Sequence, residues 1–123
     1  MKRYSKNHIW VEATNGVYTV GVSSYAMGLL GDLTCVELPR VGHVYQVGDW
    51  MGSVESFKSV NEVTCPITGK VVEVNEKVVK EPGLVGLSPE RDGWFARFSE
   101  VKPETFEALL SAEDYQTLIK GNK

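Results

Sequence analysis

The sequence predicts a mainly β fold with a short helix in the N-terminal half and helices at the C-terminus. Its 123 residues, 42% hydrophobic and 24% charged, suffice for one core without metal or disulfide staples. Most of the central sequence consists of short β-prone segments between Gly, Pro and Asn turns. The last quarter changes to the period of an amphipathic helix. We therefore interpret residues 1–123 as a single domain.

The first predicted elements form a hairpin. Residues 9–13 are apolar and β-prone, and Asn15-Gly16 follows them. This pair favours a type I′ turn because both of its positions accept a positive φ. Val17–Val22 then supplies the returning strand.

A short helix is predicted after this hairpin. Ser23 is placed to cap it, and Gly31 is placed to end it after Leu30. Its apolar contacts are assigned to Tyr25, Met27 and Leu29.

The centre of the chain predicts a series of strands. They are expected at residues 33–38, 44–47, 50–57, 62–65 and 69–74, with Pro39 ending the first of them. Residues 41–47 and 68–74 share a pattern of Gly before an alternating strand, which predicts two similar half-sheets facing each other.

The C-terminal part predicts one more strand and several helical segments. Residues 76–81 are expected to form one or two helical turns that Pro82 stops, and residues 94–98 form a strand. Pro103 suits the first position of a helix that carries Phe106, Leu109 and Leu110 on one face. Ser111 resembles the start of a capping box for a last helix, whose inward residues are Tyr115, Leu118 and Ile119.

Composition narrows the function classes. The net charge is −3 without a dense basic stripe, so we expect no nucleic-acid partner. The sequence lacks an apolar run of about 20 residues and begins with a polar segment, so we expect a cytoplasmic protein away from membranes.

The sequence predicts a binding or carrier module instead of an enzyme. His8 and His43 lack a carboxylate at a recognisable offset, and known phosphate-loop and zinc-protease motifs are missing. Cys35 and Cys65 form no CxxC or Cys/His cluster, so we expect reduced thiols and no metal site.

Lys58 is a candidate functional residue because it lies between two β-prone stretches. A tight reversal there would place its amine in water at a point fixed by the sheet, which suits an attachment site. The alternative interpretation is an ordinary solvated surface lysine.

Several motifs in order resemble the H protein of the glycine cleavage system, from about Tyr4 to Ile119. They are Asp32-Leu33, Val36-Glu37-Leu38-Pro39, Val41-Gly42, Val47-Gly48-Asp49, Gly52-Ser53-Val54-Glu55-Ser56-Phe57-Lys58-Ser59, Pro66-Ile67-Thr68-Gly69-Lys70-Val71-Val72-Glu73-Val74-Asn75 and Asp92-Gly93-Trp94. The resemblance implies a lipoyl-domain barrel-sandwich hybrid.

The resemblance also implies that Lys58 is amidated by lipoic acid. The expected partners are lipoate-protein ligase or lipoyl transferase, and dihydrolipoamide dehydrogenase. Glu55 resembles the acid that lipoylating enzymes read, although a solubilising charge on a strand is an equal alternative. We expect a monomer. Biotin carriers share the fold but usually place methionines beside the lysine, where this chain has Phe57 and Ser59.

One departure from the family concerns the group that the lipoyl-lysine side chain, called the arm below, would carry as its cargo. The family usually has an acid between the His and Trp of an N-terminal motif, and this chain has Ile9 there, which cannot pair with an aminomethyl group. Glu62 matches a second family acid that faces the docked arm. We therefore favour the related lipoate-binding proteins of sulfur oxidation, with a heterodisulfide-reductase-like complex as partner. Glycine cleavage, with its P and T proteins, is the alternative, and an unmodified β-barrel interaction module is a third.

The two cysteines admit two interpretations. Cys35 is expected to be a small core residue and Cys65 a tolerated substitution at a small polar position. Alternatively, one of these thiols approaches the dithiolane of the arm, where it would exchange only as a thiolate.

Overall fold

The computed structural model describes residues Met1–Gly121, which form two antiparallel sheets. The larger sheet has the strand order β10-β1-β2-β3-β9-β8-β5, and the smaller has the order β4-β6-β7. The strands are β1 (Lys2–Tyr4), β2 (Ile9–Thr14), β3 (Val17–Val22), β4 (Leu33–Glu37), β5 (Val44–Tyr45), β6 (Trp50–Ser56), β7 (Val60–Thr64), β8 (Gly69–Val74), β9 (Ala96–Ser99) and β10 (Leu110–Ser111).

Five short helices connect or flank these strands. They are α1 (Ser24–Leu30), α2 (Lys77–Lys80), α3 (Gly83–Leu87), α4 (Pro103–Glu107) and α5 (Ala112–Lys120). The prediction of a mainly β fold, with a helix in the N-terminal half and helices at the C-terminus, is confirmed. Among residues 1–121, no helix has the length and apolar character that crossing a membrane requires.

Both sheets contribute to one apolar core. Val11 and Val20 face it from the larger sheet, and Val36, Val54 and Val63 face it from the smaller. Alternate residues of a strand point to opposite faces. β9 follows this pattern, with Ala96 and Phe98 buried and Arg97 and Ser99 partly exposed, whereas β2 buries three consecutive residues. Burial of this apolar surface is the main favourable term for the fold.

Local signals placed the first hairpin and the first helix correctly. Asn15 and Gly16 both have a positive φ, as the predicted turn requires. Ser23 caps α1 by accepting a hydrogen bond from the backbone N–H of Ala26 at 3.2 Å. Met27 is buried as expected, but Leu29 is 65% exposed, so its predicted packing is wrong.

A β-bulge reverses the expectation for Cys35. Leu33 lies opposite Ser56, but Cys35 lies opposite Glu55, so β4 contains one extra residue at this point. The extra residue breaks the alternation, and Val36 points into the core in place of Cys35. Cys35 is exposed, and the prediction of a core residue is wrong.

The C-terminal region begins as predicted and then differs. Pro103 occupies the start of α4, and Ser111 caps α5 by accepting a hydrogen bond from the backbone N–H of Asp114 at 3.1 Å. Leu110 does not continue a helix. It lies in β10, which pairs with β1 and closes the edge of the larger sheet.

The two resembling segments do not form separate sheets. β5 and β8 are neighbours in the larger sheet, with Val44 opposite Lys70 and Tyr45 opposite Gly69. The predicted pair of facing half-sheets is therefore wrong, because these segments are hydrogen-bonded neighbours in the same sheet.

Candidate functional site

Lys58 lies at the tip of the hairpin formed by β6 and β7. The backbone N–H of Ser56 donates to the carbonyl oxygen of Ser59 at 2.9 Å, which closes the turn. The backbone N–H of Lys58 also donates to the Ser56 hydroxyl at 3.3 Å. These contacts fix the backbone on which the lysine stands, and the predicted reversal at Lys58 is confirmed.

The side chains around this tip face solvent. Lys58 is exposed, and its ammonium group makes no hydrogen bond or ion pair within residues 1–121. Phe57 is 87% exposed and Val60 is 64% exposed. The lysine amine is therefore accessible to a modifying enzyme, beside apolar side chains that such an enzyme can contact.

A groove of about 630 Å³ begins beside this tip, and we call it the hairpin groove. One wall is β7 with the adjoining turn, from Ser59 to Thr64. A second wall is α1, and the third is the segment from Lys6 to Ile9 that leads into β2.

The interior of the hairpin groove is apolar and its margin is polar. Ile9, which is 3% exposed, and Val22 lie at its base, where they are opposite each other in β2 and β3. Leu29 is exposed because α1 turns it toward this opening. Glu62 lines the groove and supplies a carboxylate, so the groove retains an acid although position 9 has none.

His8 also lines the hairpin groove, and several contacts fix it there. Its φ is +68°, a left-handed conformation that is uncommon for residues other than glycine. Its Nδ1 atom lies 2.8 Å from the Tyr115 hydroxyl, which lies 2.7 Å from the Ser23 hydroxyl. Burial lowers the pKa of His8, so its imidazole is neutral at pH 7.

Glu55 is exposed on the outer face of the smaller sheet, three residues before Lys58. Cys35 on β4 and Val60 on β7 lie directly opposite it. This position makes the Glu55 carboxylate accessible to an enzyme that approaches the hairpin tip.

The two cysteines differ in accessibility. Cys35 is exposed on the outer face, beside Glu55. Cys65 is 2% exposed, and its thiol donates a hydrogen bond to the carbonyl oxygen of Ile67 at 3.0 Å. Burial raises the pKa of Cys65 to about 12, so it does not form the thiolate that exchange requires. The buried Cys65 thiol is therefore poorly suited to exchange with a dithiolane, whereas the Cys35 thiol is accessible.

Sequence reasoning placed Lys58, Glu55 and Glu62 near this site but missed much of the groove. The sequence predicts apolar contacts for Leu29 and indicates no role for His8. The segments that carry them meet only through the pairing of β2 with β3 and the packing of α1. The His-Ile-Trp sequence at residues 8–10 is the one local signal for this wall of the groove.

The site fits a lipoyl group attached to a lysine. The Lys58 amine is exposed for acylation, and the adjacent groove has an apolar base for an acyl chain. Amidation would remove the lysine charge, so no ammonium group would be buried if the extended side chain lay in this groove.

Comparison with known proteins gives consistent matches. The sequence model of the family described as glycine cleavage H-protein matches residues 2–122. The glycine cleavage system H protein of Listeria monocytogenes serotype 4a (strain HCC23) is 42% identical over 116 residues, covering 94% of this chain and 93% of the relative. That of Staphylococcus epidermidis (strain ATCC 12228 / FDA PCI 1200) is 44% identical over 117 residues, covering 95% of this chain and 93% of the relative.

A solved structure extends the similarity to the fold. The crystal structure of a glycine cleavage system H protein from Mycobacterium marinum superposes with a TM-score of 0.83 at 33% identity. The match covers 93% of this chain and 92% of that chain. This neighbour confirms the expected barrel-sandwich fold.

Proposed function

This chain belongs to the glycine cleavage H-protein family, and from that membership we propose that Lys58 carries its lipoyl group and serves glycine cleavage. Proteins of this family are non-catalytic carriers with lipoamide on a lysine. The observation that supports Lys58 is its exposed position at the closed hairpin tip, beside an apolar groove.

In this proposal each part of the site has a physical role. The hairpin holds Lys58 at a fixed point outside the core, while the lysine side chain stays free to move. The attached group supplies a disulfide that accepts and passes on its cargo, and the protein supplies position. Tethering raises the local concentration of the arm at successive enzymes, on the order of millimolar for short flexible links.

The preference for sulfur oxidation finds no support in these comparisons, and glycine cleavage fits them better. That preference was based on the apolar Ile9. Ile9 is a buried member of the core at the base of the groove, while Glu62 remains available at its margin to pair with an amine. A missing acid at position 9 therefore does not remove the charge that an aminomethyl cargo needs.

The proposed partners follow from the family. Proteins of this family interact with the glycine cleavage P and T proteins and with the lipoylating enzyme. We add dihydrolipoamide dehydrogenase, because a reduced arm must be reoxidised before it accepts another cargo. A heterodisulfide-reductase-like partner is not supported.

The attachment site is tested by incubating the protein with lipoate ligase, ATP and lipoate and measuring its intact mass. We expect one lipoyl increment for the wild type and none for Lys58→Arg. Lys6→Arg is the matched control, since Lys6 is another exposed lysine at the same groove. Modification of Lys58→Arg, or its loss in Lys6→Arg, would contradict the assignment.

The cargo is tested with the lipoylated protein and glycine cleavage P protein. We expect glycine-dependent exchange of labelled bicarbonate, and Glu62→Gln should reduce it roughly threefold, as for a partly exposed ion pair. Glu37→Gln is the control, because Glu37 is an exposed acid on β4, in the same sheet but outside the groove. A wild-type protein that is lipoylated but inactive with the P protein would reject glycine cleavage as its pathway.

A further inference from the structure

The C-terminal helix α5 buries a single side chain, that of Tyr115. The Tyr115 ring stacks on the ring of Tyr4 in β1, with centroids 4.3 Å apart and an interplanar angle of 2°. Its hydroxyl lies 2.7 Å from the hydroxyl of Ser23 and 2.8 Å from Nδ1 of His8. The attachment of α5 to the rest of the protein therefore depends strongly on the contacts of this one tyrosine.

The hydrogen bonds of this cluster run in one direction while His8 is neutral. Ser23 is fully buried and its hydroxyl oxygen accepts from the backbone N–H of Ala26, so its own hydroxyl hydrogen needs an acceptor. Within residues 1–121 that acceptor is the Tyr115 hydroxyl. Tyr115 then donates to Nδ1 of His8, and the imidazole carries its hydrogen on Nε2. The opposite direction would leave the Ser23 hydrogen buried without a partner, which is costly.

Protonation of His8 is incompatible with this arrangement. The added proton would go to Nδ1, which would change from an acceptor into a donor facing the Tyr115 hydroxyl. The hydrogen of the Tyr115 hydroxyl would then lose its acceptor. If the Ser23 hydroxyl turned to accept that hydrogen, its own hydrogen would be buried without a partner. In either case one buried hydrogen is left unpaired, so protonation weakens the contacts that hold α5.

The other titratable groups around this cluster leave the response to the histidine. They are Tyr25 of α1, Lys6 before β2, Glu62 of β7, Tyr4 of β1 and Glu90 before β9. Burial is the main cause that raises the pKa values of Tyr4 and Tyr115, so both hydroxyls keep their hydrogens. The hydrogen-bond donors of Glu90 outweigh its burial and hold its pKa below the ordinary value, so it stays ionised. Lys6 and Glu62 line the hairpin groove with opposite charges.

We propose that His8, Tyr115 and Ser23 form a pH-sensitive latch, which fastens α5 to β1 and to the start of α1 while His8 is neutral and releases α5 when His8 is protonated. The latch joins three distant segments, because the backbone N–H of Ser23 also donates to the carbonyl oxygen of His8 at 2.9 Å. Burial lowers the pKa of His8 in the closed state. The latch is therefore complete above the ordinary histidine pKa of about 6.5 and is lost as the pH falls toward the folded value.

The test measures hydrogen exchange of the α5 backbone amides in the full-length protein at pH 8 and pH 5. Exchange is expressed as protection factors, which remove the intrinsic effect of pH. We expect α5 to lose roughly tenfold more protection in acid than β2 and β3 do, as for one unpaired buried hydrogen. His8→Asn is the informative variant, because Asn tolerates a positive φ and does not titrate. In this variant the protection of α5 should not depend on pH.

A second variant and a control make the result specific. Tyr115→Phe keeps the ring that stacks on Tyr4 but removes the hydroxyl, so Nδ1 of His8 is free to take a proton. NMR titration should then show His8 protonating at a higher pH than in the wild type. His43→Asn removes the other histidine, which is exposed and contacts Tyr45, and should leave the response of α5 unchanged.

Several outcomes would overturn the latch. Wild-type α5 protection that is equal at both pH values, or an acid-induced loss that persists in His8→Asn, removes His8 as the trigger. Unchanged titration of His8 in Tyr115→Phe contradicts the direction of the hydrogen bonds. Loss of the response in His43→Asn assigns it to the wrong histidine for this account. These measurements use the unmodified protein, so their outcome is independent of the function proposed for Lys58.

Discussion

A few side chains near the hairpin tip form the surface that is accessible to a lipoylating enzyme. Lys58 is recognisable from sequence because its neighbours alternate as strands on either side and leave it at the reversal. His8 is not, since an isolated histidine gives no indication that Tyr115, more than one hundred residues away, contacts it. The position of Lys58 at the reversal is therefore predictable from the sequence, while the contacts of His8 are not.

Glu55 gives the first prediction at this scale. Glu55→Gln should slow modification of Lys58 by lipoate ligase roughly fivefold, because a charge at the edge of an interface mainly affects association. The rate is measured as the appearance of lipoylated mass with time. Glu37→Gln, on the same exposed face, should not slow it. Equal rates for Glu55→Gln and wild type would indicate that Glu55 only solubilises the strand.

Glu90 gives a prediction about pH. Its carboxylate accepts from the Tyr4 hydroxyl at 2.7 Å and from the backbone N–H of Ser24 at 2.9 Å, and it lies 3.3 Å from the Lys2 ammonium. Burial alone would raise the pKa of Glu90, but these partners outweigh burial and hold the pKa below its ordinary value. The ionised form thus stabilises the fold by linking β1 to the start of α1.

The sign of this effect fixes the expected pH profile. Because the pKa of Glu90 is lower in the folded state, its contribution is complete above the unfolded pKa of about 4.3 and is lost as the pH falls through the folded value. Glu90→Gln should lower the free energy of unfolding by about 1–2 kcal/mol at pH 7. The difference from wild type, measured by denaturant titration, should shrink below pH 4. A difference that stays constant to pH 2 would contradict it.

At the scale of elements, sequence signals predict turns and helix caps correctly where a few adjacent residues determine the structure. Asn15-Gly16 and the caps at Ser23 and Ser111 depend on a few adjacent residues, and each forms as predicted. α3 was missed because Pro82-Gly83 resembles a stop signal. The helix forms where Val85 is buried and Gly93 passes close to its backbone, contacts that the local sequence does not contain.

Gly52 gives a prediction about the smaller sheet. Its φ is +151°, and a β-carbon there would collide with the carbonyl oxygen of Glu37 on β4. Gly52→Ala should therefore separate β6 from β4 and lower the free energy of unfolding by roughly 2–3 kcal/mol. The measurement is chemical denaturation.

Gly28→Ala is the matched control for this substitution. Gly28 lies inside α1, and a β-carbon there meets nothing within 4 Å. Alanine favours a helix, so this variant should be more stable than wild type by roughly 0.5–1 kcal/mol. Destabilisation of similar size in both variants would show that the close approach to Glu37 is not the cause.

At the scale of the whole molecule, the hairpin groove is a product of topology. It combines the segment before β2, one face of α1 and the strand after Lys58, which are brought together by two sheets on one core. Composition and strand patterns predicted the mainly β class, and the ordered motifs predicted the family. They did not predict the groove, because its walls come from segments that are far apart in the sequence and meet only in the folded chain.

Peptide mapping of protein purified from its native host tests the central claim most directly. Trypsin cleaves after Arg40, Lys58 and Lys70 when these residues are unmodified. Lipoylation of Lys58 blocks cleavage there, so the account predicts one peptide of residues 41–70 with the added mass of a lipoyl group. Recovery of separate unmodified peptides 41–58 and 59–70, from cells that lipoylate other proteins, would contradict it.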